Sequence, residues 1–125
     1  DTLLWKTVEY TRTRRQFGVP IASFQALQHR MAEMFIELEQ SRSILMMALM
    51  AAEAGEELAR PVSAAKSRIG RAMRRVGQEA IQLHGGIGVT DELDVGHYVK
   101  RLTAIETLFG NTDFHLQRFG EAHDR

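Results

Sequence analysis

Apolar positions recur at helical spacing along nearly the whole chain. Leu4 and Val8 share a face with Thr11, with Trp5 beside them, and this first helix is expected to end near Arg15. Phe17-Gly18-Val19-Pro20 follows. Gly18 suits a left-handed cap, and Pro20 disfavours helix at Val19. Phe24, Met31, Leu38, Leu45 and Ala52 then repeat every seven residues, with Leu27, Met34, Ser41 and Ala48 as a second seam. A seam sustained for about four heptads predicts a long bundle helix, capped by Ser23 and stopped at Gly55.

Pro61 fits the first turn of a third helix, where its missing N–H costs nothing. Val62, Ile69, Val76 and Leu83 form its apolar stripe, flanked by Ala65, Ala72, Met73 and Ala80. Gly70 and Gly77 would let a neighbouring helix come close, and Gly85-Gly86-Ile87-Gly88 ends the segment. Asp91 is the expected cap of a fourth helix, with Asp94 favourable to its dipole. That helix carries Val95, Tyr98, Val99, Leu102 and Ile105 to about Leu108. Gly110-Asn111 breaks it, and a short last helix bears Phe114, Leu116 and Phe119. No strand alternation or internal repeat is visible. The pattern predicts an all-α, up-down-up-down four-helix bundle with a broken last arm, occupying 1–125 as a single domain.

Composition narrows the function. The 125 residues are 44% apolar and 26% charged, ordinary for one soluble domain. Sixteen Lys and Arg balance sixteen Asp and Glu, so no global field draws nucleic acid or an anionic membrane. No apolar run approaches the roughly 20 residues that span a bilayer, so no membrane span is expected. Cysteine is absent, which excludes disulfides, thiolate zinc sites and a cysteine nucleophile. Its absence fits a reducing, cytoplasmic setting. The chain opens in mid-pattern at Asp1 with neither Met nor signal peptide, as expected of a fragment of a longer protein.

Four features are candidates for chemistry. Arg12, Arg14 and Arg15 are either an anion-recognising cluster or a solvated helix end. Gly85-Gly86-Ile87-Gly88 is either a backbone that a phosphate can approach or a plain helix stop. The basic run Arg60, Lys66, Arg68, Arg71, Arg74 and Arg75 is read as a solvated face complemented by Glu33, Glu37, Glu39 and Glu53 of the second helix. Nucleic-acid binding lacks the interleaved aromatics it needs. The histidines His29, His84, His97, His115 and His123 offer only one carboxylate-x-x-His spacing, Asp94 to His97. A carboxylate-bridged metal bundle needs two such pairs, so no metal is expected.

The order of these features is more telling than any one of them. Tyr10, Arg14, Gln16-Phe17-Gly18, Pro20-Ile21, Phe24-Gln25 and Gln28 precede a long helix, and Ala80-Ile81-Gln82-Leu83-His84-Gly85-Gly86-Ile87-Gly88 follows it. This series closely resembles the C-terminal helical domain of the acyl-CoA dehydrogenases, over essentially the whole chain. The resemblance implies a three-domain flavoprotein oxidoreductase of fatty-acid type metabolism. Such an enzyme oxidises an acyl-CoA at its α and β carbons and passes electrons to an electron-transfer acceptor. It also implies a homodimer or dimer of dimers, or a heteromer. Arg14 is then expected at the FAD pyrophosphate of a neighbouring subunit, with Gln16 and Phe17 beside it. Gln25 is expected near the adenine. Gln82, Leu83, His84, Gly85 and Gly86 are expected along the adenosine and diphosphate. Asn111 and Asp113 are expected beside the same subunit's flavin, although a carboxylate there would repel a diphosphate.

The catalytic position departs from the family. Where many members carry a glutamate, this chain has Leu108-Phe109-Gly110-Asn111, and Phe109 cannot accept a proton. Either the base lies upstream of Asp1, or a partner subunit supplies the competent site, or dehydrogenation is lost. The stretches Leu83–Glu92, Gly96-His97-Tyr98 and Lys100-Arg101-Leu102 are similar to small subunits of bacterial acyl-CoA dehydrogenases such as the pimeloyl-CoA type. Glu106, one turn before Phe109, is a candidate base or else a surface or interface carboxylate. A non-catalytic subunit and a helical interaction module remain the alternatives to an enzyme.

Overall fold

The computed structural model describes residues 1–85 and 94–123. Within them lie five helices: α1 (Thr2–Thr13), α2 (Gln25–Glu53), α3 (Ala59–His84), α4 (Val95–Thr107) and α5 (Thr112–His123). A two-residue antiparallel pair, β1 (Arg15–Gln16) with β2 (Val19–Pro20), and a 3-10 turn at Ile21–Ser23 join α1 to α2.

Side-chain contacts fix the directions. Asp1 meets Arg42 at one end of α1, and Thr11 meets Met31 at the other, so α1 and α2 run antiparallel. Arg68 to Glu37, Arg75 to Glu33 and Arg30 to Glu79 zip α2 against α3 in the opposite sense. Gly77 faces Val99, and Gly70 faces Glu106 and Thr112, so α4 descends along α3. The descent continues in α5, where His115 reaches Ser63 and Arg60 lies over the Phe119 ring. The last two helices are successive halves of one arm, and the predicted all-α bundle with its broken fourth arm is what forms.

Helix α3 packs against α1, α2, α4 and α5. Its buried residues are therefore small on several faces: Ser63, Ala65, Ser67, Gly70, Ala72, Gly77 and Ala80, with Leu83 and His84 at the end. The predicted stripe of Val62, Ile69 and Val76 is only half-buried, because bulk at every face would hold four neighbours apart. The core gathers Leu3, Leu4, Met34, Ala80, Leu83 and Val95 where the upper parts of the helices converge.

Four expectations are corrected. Ser23 does not cap α2; its hydroxyl donates to the Pro20 carbonyl at 2.6 Å, and α2 begins at Gln25 after Phe24. Helix α1 ends at Thr13, not near Arg15, because Arg14 is already extended. The strand pair is also unforeseen, since two residues a side carry no alternation. Its turn takes φ +54° at Phe17 and +79° at Gly18, the pair of left-handed residues that matches strand twist in a two-residue hairpin. Finally, Leu45 and Ala52 are exposed despite the heptad. They continue the seam that faces α1, but α1 has run out at Asp1, opposite Arg42. Beyond that point α2 buries Ala48 and Ala51. The predicted Asp91 cap lies outside the described residues. Among the described residues no helix is long and apolar enough to cross a membrane.

Candidate functional site

Two corners meet at one end of the bundle. Tyr10, in the last turn of α1, stacks on the His84 ring at the end of α3, with centroids 4.4 Å apart. His84 is buried, and its Nδ1 donates to the Ala80 carbonyl at 2.8 Å, which fixes the ring. This stack places the hairpin after Arg14 beside the bend at Gly85. The hairpin is closed by the Ile21 amide donating to the Arg14 carbonyl at 2.8 Å and by Arg15 donating to the Gly18 carbonyl at 3.2 Å. The Arg14 side chain is exposed and has neither hydrogen bond nor ion pair among the described residues. Gln16, Phe17, Gln25 and Gln82 are likewise exposed around this end, and Phe17 touches Phe24 edge-on. Leu83 and His84 are buried behind them.

Gly85 has φ +61° and ψ −146°, a conformation essentially reserved for glycine. Among the described residues, a Cβ there would meet nothing within 4 Å. Toward the described residues the bend therefore presents backbone without a side chain. Gly85→Ala is expected to lower stability by about 1–3 kcal/mol through backbone strain alone. A thermal melt of the variant checks this. Gly86, the next residue of the expected site, lies outside the described residues.

The elbow between α4 and α5 is the second candidate region, and hydrogen bonds hold it throughout. Lys66 donates to the Leu108 carbonyl at 2.7 Å. Buried His115 bridges the Phe109 carbonyl, 2.9 Å from Nε2, and the Ser63 hydroxyl, 3.1 Å from Nδ1. Nε2 is the donor there, since a carbonyl only accepts, and Ser63 can donate to Nδ1. Asn111 caps α5, its Oδ1 accepting from the Phe114 amide at 2.9 Å. Asp113 is exposed in the first turn of α5, where the helix dipole favours a carboxylate. Phe109 itself sits at φ +58° and is 92% exposed. Sequence reasoning did not find Lys66 or His115 in these roles, because nothing in a sequence links His115 to Ser63 across 52 positions.

Glu106 is committed to this elbow. Its Oε1 accepts from the Thr112 hydroxyl at 2.7 Å and the Thr112 amide at 2.9 Å, with Arg74 3.8 Å away. The Thr112 side-chain hydrogen bond first, then the amide and Arg74, hold its carboxyl below the ordinary 4.5. A carboxylate held this way is a weak proton acceptor. A depressed folded pKa contributes stability that is complete above the ordinary value and is lost as pH falls through the folded one. The urea midpoint of wild type minus that of Glu106→Gln is therefore expected to stay constant above about pH 5 and to shrink at more acid pH.

The other candidates resolve into structure. His29 and His97 are exposed, and His115 is spent on the elbow. The predicted acidic complement holds in part: Arg68 pairs with Glu37 at 2.5 Å and Arg75 with Glu33 at 2.6 Å, whereas Glu39 pairs with Arg42 of its own helix and Arg74 with Glu106 of α4.

Residues 2–123 match the family described as acyl-CoA dehydrogenase, C-terminal domain, and the chain belongs to the acyl-CoA dehydrogenase family. It is 42% identical to acyl-CoA dehydrogenase IpdE2 of Mycobacterium tuberculosis over 103 residues, which are 81% of this chain and 30% of that protein. Among solved structures, butyryl-CoA dehydrogenase from Megasphaera elsdenii superimposes with a TM-score of 0.93 at 28% identity, over 98% of this chain and 32% of that one. The FAD complex of PigA gives 0.90 at 27% identity, with the same coverage of 98% and 32%. The chain spans about a third of the length of curated relatives that it matches, acyl-CoA dehydrogenase IpdE2 of Mycobacterium tuberculosis among them.

Proposed function

We propose that these residues are the C-terminal domain of a three-domain, FAD-dependent acyl-CoA dehydrogenase, supplying flavin contacts and oligomer contacts. One observation carries the reading: the Tyr10–His84 stack sets the Arg14 hairpin and the Gly85 bend side by side at one exposed end of the bundle. A guanidinium with no partner among the described residues, and a backbone bend without a side chain, suit a diphosphate. Arg14 pairs with the FAD diphosphate of a neighbouring subunit, and Gln16 and Phe17 flank it. Gln25 lies toward the adenine. Gln82, Gly85 and Gly86 line the adenosine and diphosphate, while Leu83 and His84 shape that surface from behind. Asn111 and Asp113 lie toward the flavin of their own subunit, Asn111 offering its amide N–H groups because its oxygen caps α5. Bound FAD would supply the hydride acceptor for oxidation of an acyl-CoA at its α and β carbons. The assembly is a dimer or dimer of dimers that passes electrons to an electron-transfer acceptor, and the absence of cysteine supports a cytoplasmic setting.

A second reading is favoured by the elbow: a non-catalytic subunit of a heteromeric dehydrogenase. Phe109 carries no acid, and Glu106 is tied to Thr112 with a depressed pKa. The base then comes from upstream of Asp1 or from a partner subunit. The test is anaerobic addition of acyl-CoA thioesters to the full-length protein while the flavin absorbance is followed. Bleaching by the protein alone supports the enzyme. Bleaching only after a second polypeptide is added supports the subunit. Absence of bound flavin in both preparations would refute both. Glu106→Gln is expected to leave the bleaching rate within about twofold, because a base would lose 100-fold or more.

A further inference from the structure

The outer face of α3 carries more positive charge than its neighbours balance. From Ala59 to Gln78 the helix holds no Asp or Glu, while Arg68, Arg71, Arg74 and Arg75 fall at spacings of three, three and one. Helical positions three and four apart are neighbours, so these guanidiniums share one broad face. With Glu37 and Gln78 they line an open cleft of about 410 Å³. The carboxylates within reach are already committed. Glu37 accepts from Arg68 at 2.5 Å through one oxygen and from Arg75 at 3.3 Å through the other. Glu33 accepts from Arg75 at 2.6 Å. Glu106 accepts twice from Thr112 and leaves Arg74 3.8 Å away. Arg71 is exposed and has neither hydrogen bond nor ion pair among the described residues.

Glu37 preforms the cleft. Its side chain is 13% exposed, and it fixes one fork on each side of Arg71 by holding both Arg68 and Arg75. Two guanidiniums answer its charge, so it does not turn an anion away. Arg68 and Arg75 make these contacts through their terminal nitrogens, which leaves each Nε–H unspent, and Arg71 keeps all its donors. Four arginines against Glu33 and Glu37 leave two positive charges, and Glu106 offsets part of one across its 3.8 Å. A phosphate monoester carries about −1.5 to −2 at neutral pH, with acceptor oxygens that match guanidinium forks. Like charges three and four apart also destabilise a helix, a repulsion that such an anion relieves. The cleft is distinct from the Arg14–Gly85 end. Arg71 precedes Gly85 by about 21 Å along the helix axis, too far for one diphosphate to touch both.

We infer that this cleft binds the phosphate group of a small phosphorylated molecule, at a site of its own on the middle of α3. The inference does not depend on flavin binding. The test is titration calorimetry of the full-length protein in excess FAD, with ionic strength held constant by chloride. Inorganic phosphate and adenosine monophosphate are the probes. Saturable binding of one probe molecule per chain is expected. Tighter binding of the monophosphate shows that the carrier adds contacts, and equal affinity assigns recognition to the phosphate alone. Arg71→Gln removes the unpartnered fork, and Gln78→Glu sets a carboxylate in the cleft. Each is expected to weaken binding at least about tenfold. Arg71→Lys keeps the charge without the fork and falls between. Both positions are exposed, so helical circular dichroism is expected to stay at the wild-type value. Arg14→Ala is expected to bind both probes as wild type does. Absence of saturable binding with either probe overturns the inference. So does unchanged affinity in Arg71→Gln. Loss of binding in Arg14→Ala also overturns it, because the anion then sits at the other end of the helix. Probe binding retained in an Arg14→Ala protein that has lost its flavin separates this result from the fate of the proposed function.

Discussion

Arg14→Ala in the full-length protein is expected to weaken FAD binding about 100-fold and to leave helical content unchanged. The reason is local. Arg14 contributes its backbone carbonyl to the hairpin, where Ile21 donates to it, but its guanidinium is exposed and without a partner among the described residues. Removing that side chain costs the fold nothing. Its loss removes a charge-assisted pair with a diphosphate, worth about 1.5–3 kcal/mol, or one to two decades of affinity. Arg14→Lys keeps the charge but loses the fork, and falls between the two. Flavin titration of the three proteins measures this. Equal affinity in all three would remove Arg14 from the site, and the reading of that corner with it.

Met34→Ala is expected to be the most destabilising single change in the core, by about 2–5 kcal/mol in urea denaturation. Met34 is fully buried and joins Leu3 and Leu4 of α1 to Ala80 and Leu83 of α3 and Val95 of α4. Of the two α3 residues in this cluster, Ala80 has no side-chain torsion with which to fill the vacated space. The loss is therefore transfer energy plus an unrelaxed cavity. Met34→Leu conserves volume and is expected to cost less than about 1.5 kcal/mol. If the alanine variant unfolds at the wild-type midpoint, the packing of α2 between α1 and α3 is not as described.

The helices were legible because their signals are periodic and long. Met34 and Ala48 stand on the predicted seam, and Gly55 and Gly85 end the helices where expected. What escaped has no periodicity to read. The β1–β2 turn depends on a left-handed Phe17, and phenylalanine is not a residue from which that conformation is inferred. Leu45 and Ala52 obey the heptad and are exposed anyway, since a repeat reports which way a residue faces and not whether anything stands there. At the candidate site, the glycines of the α3 bend and the arginines before the hairpin were visible as residues. Their adjacency rests on Tyr10 against His84, two positions 74 apart in sequence that composition cannot connect. Glu106 was visible as a carboxylate near Phe109, but its partner Thr112 carried no sequence signal.

The α4–α5 elbow is fastened by backbone atoms. Lys66 and His115 hold the carbonyls of Leu108 and Phe109, Glu106 holds the Thr112 amide, and Asn111 holds that of Phe114. None of these ties involves the phenyl ring. Position 109 is thus a socket on a fixed mount: within the limits of its left-handed backbone, φ +58°, its side chain can be exchanged without removing any of these supports.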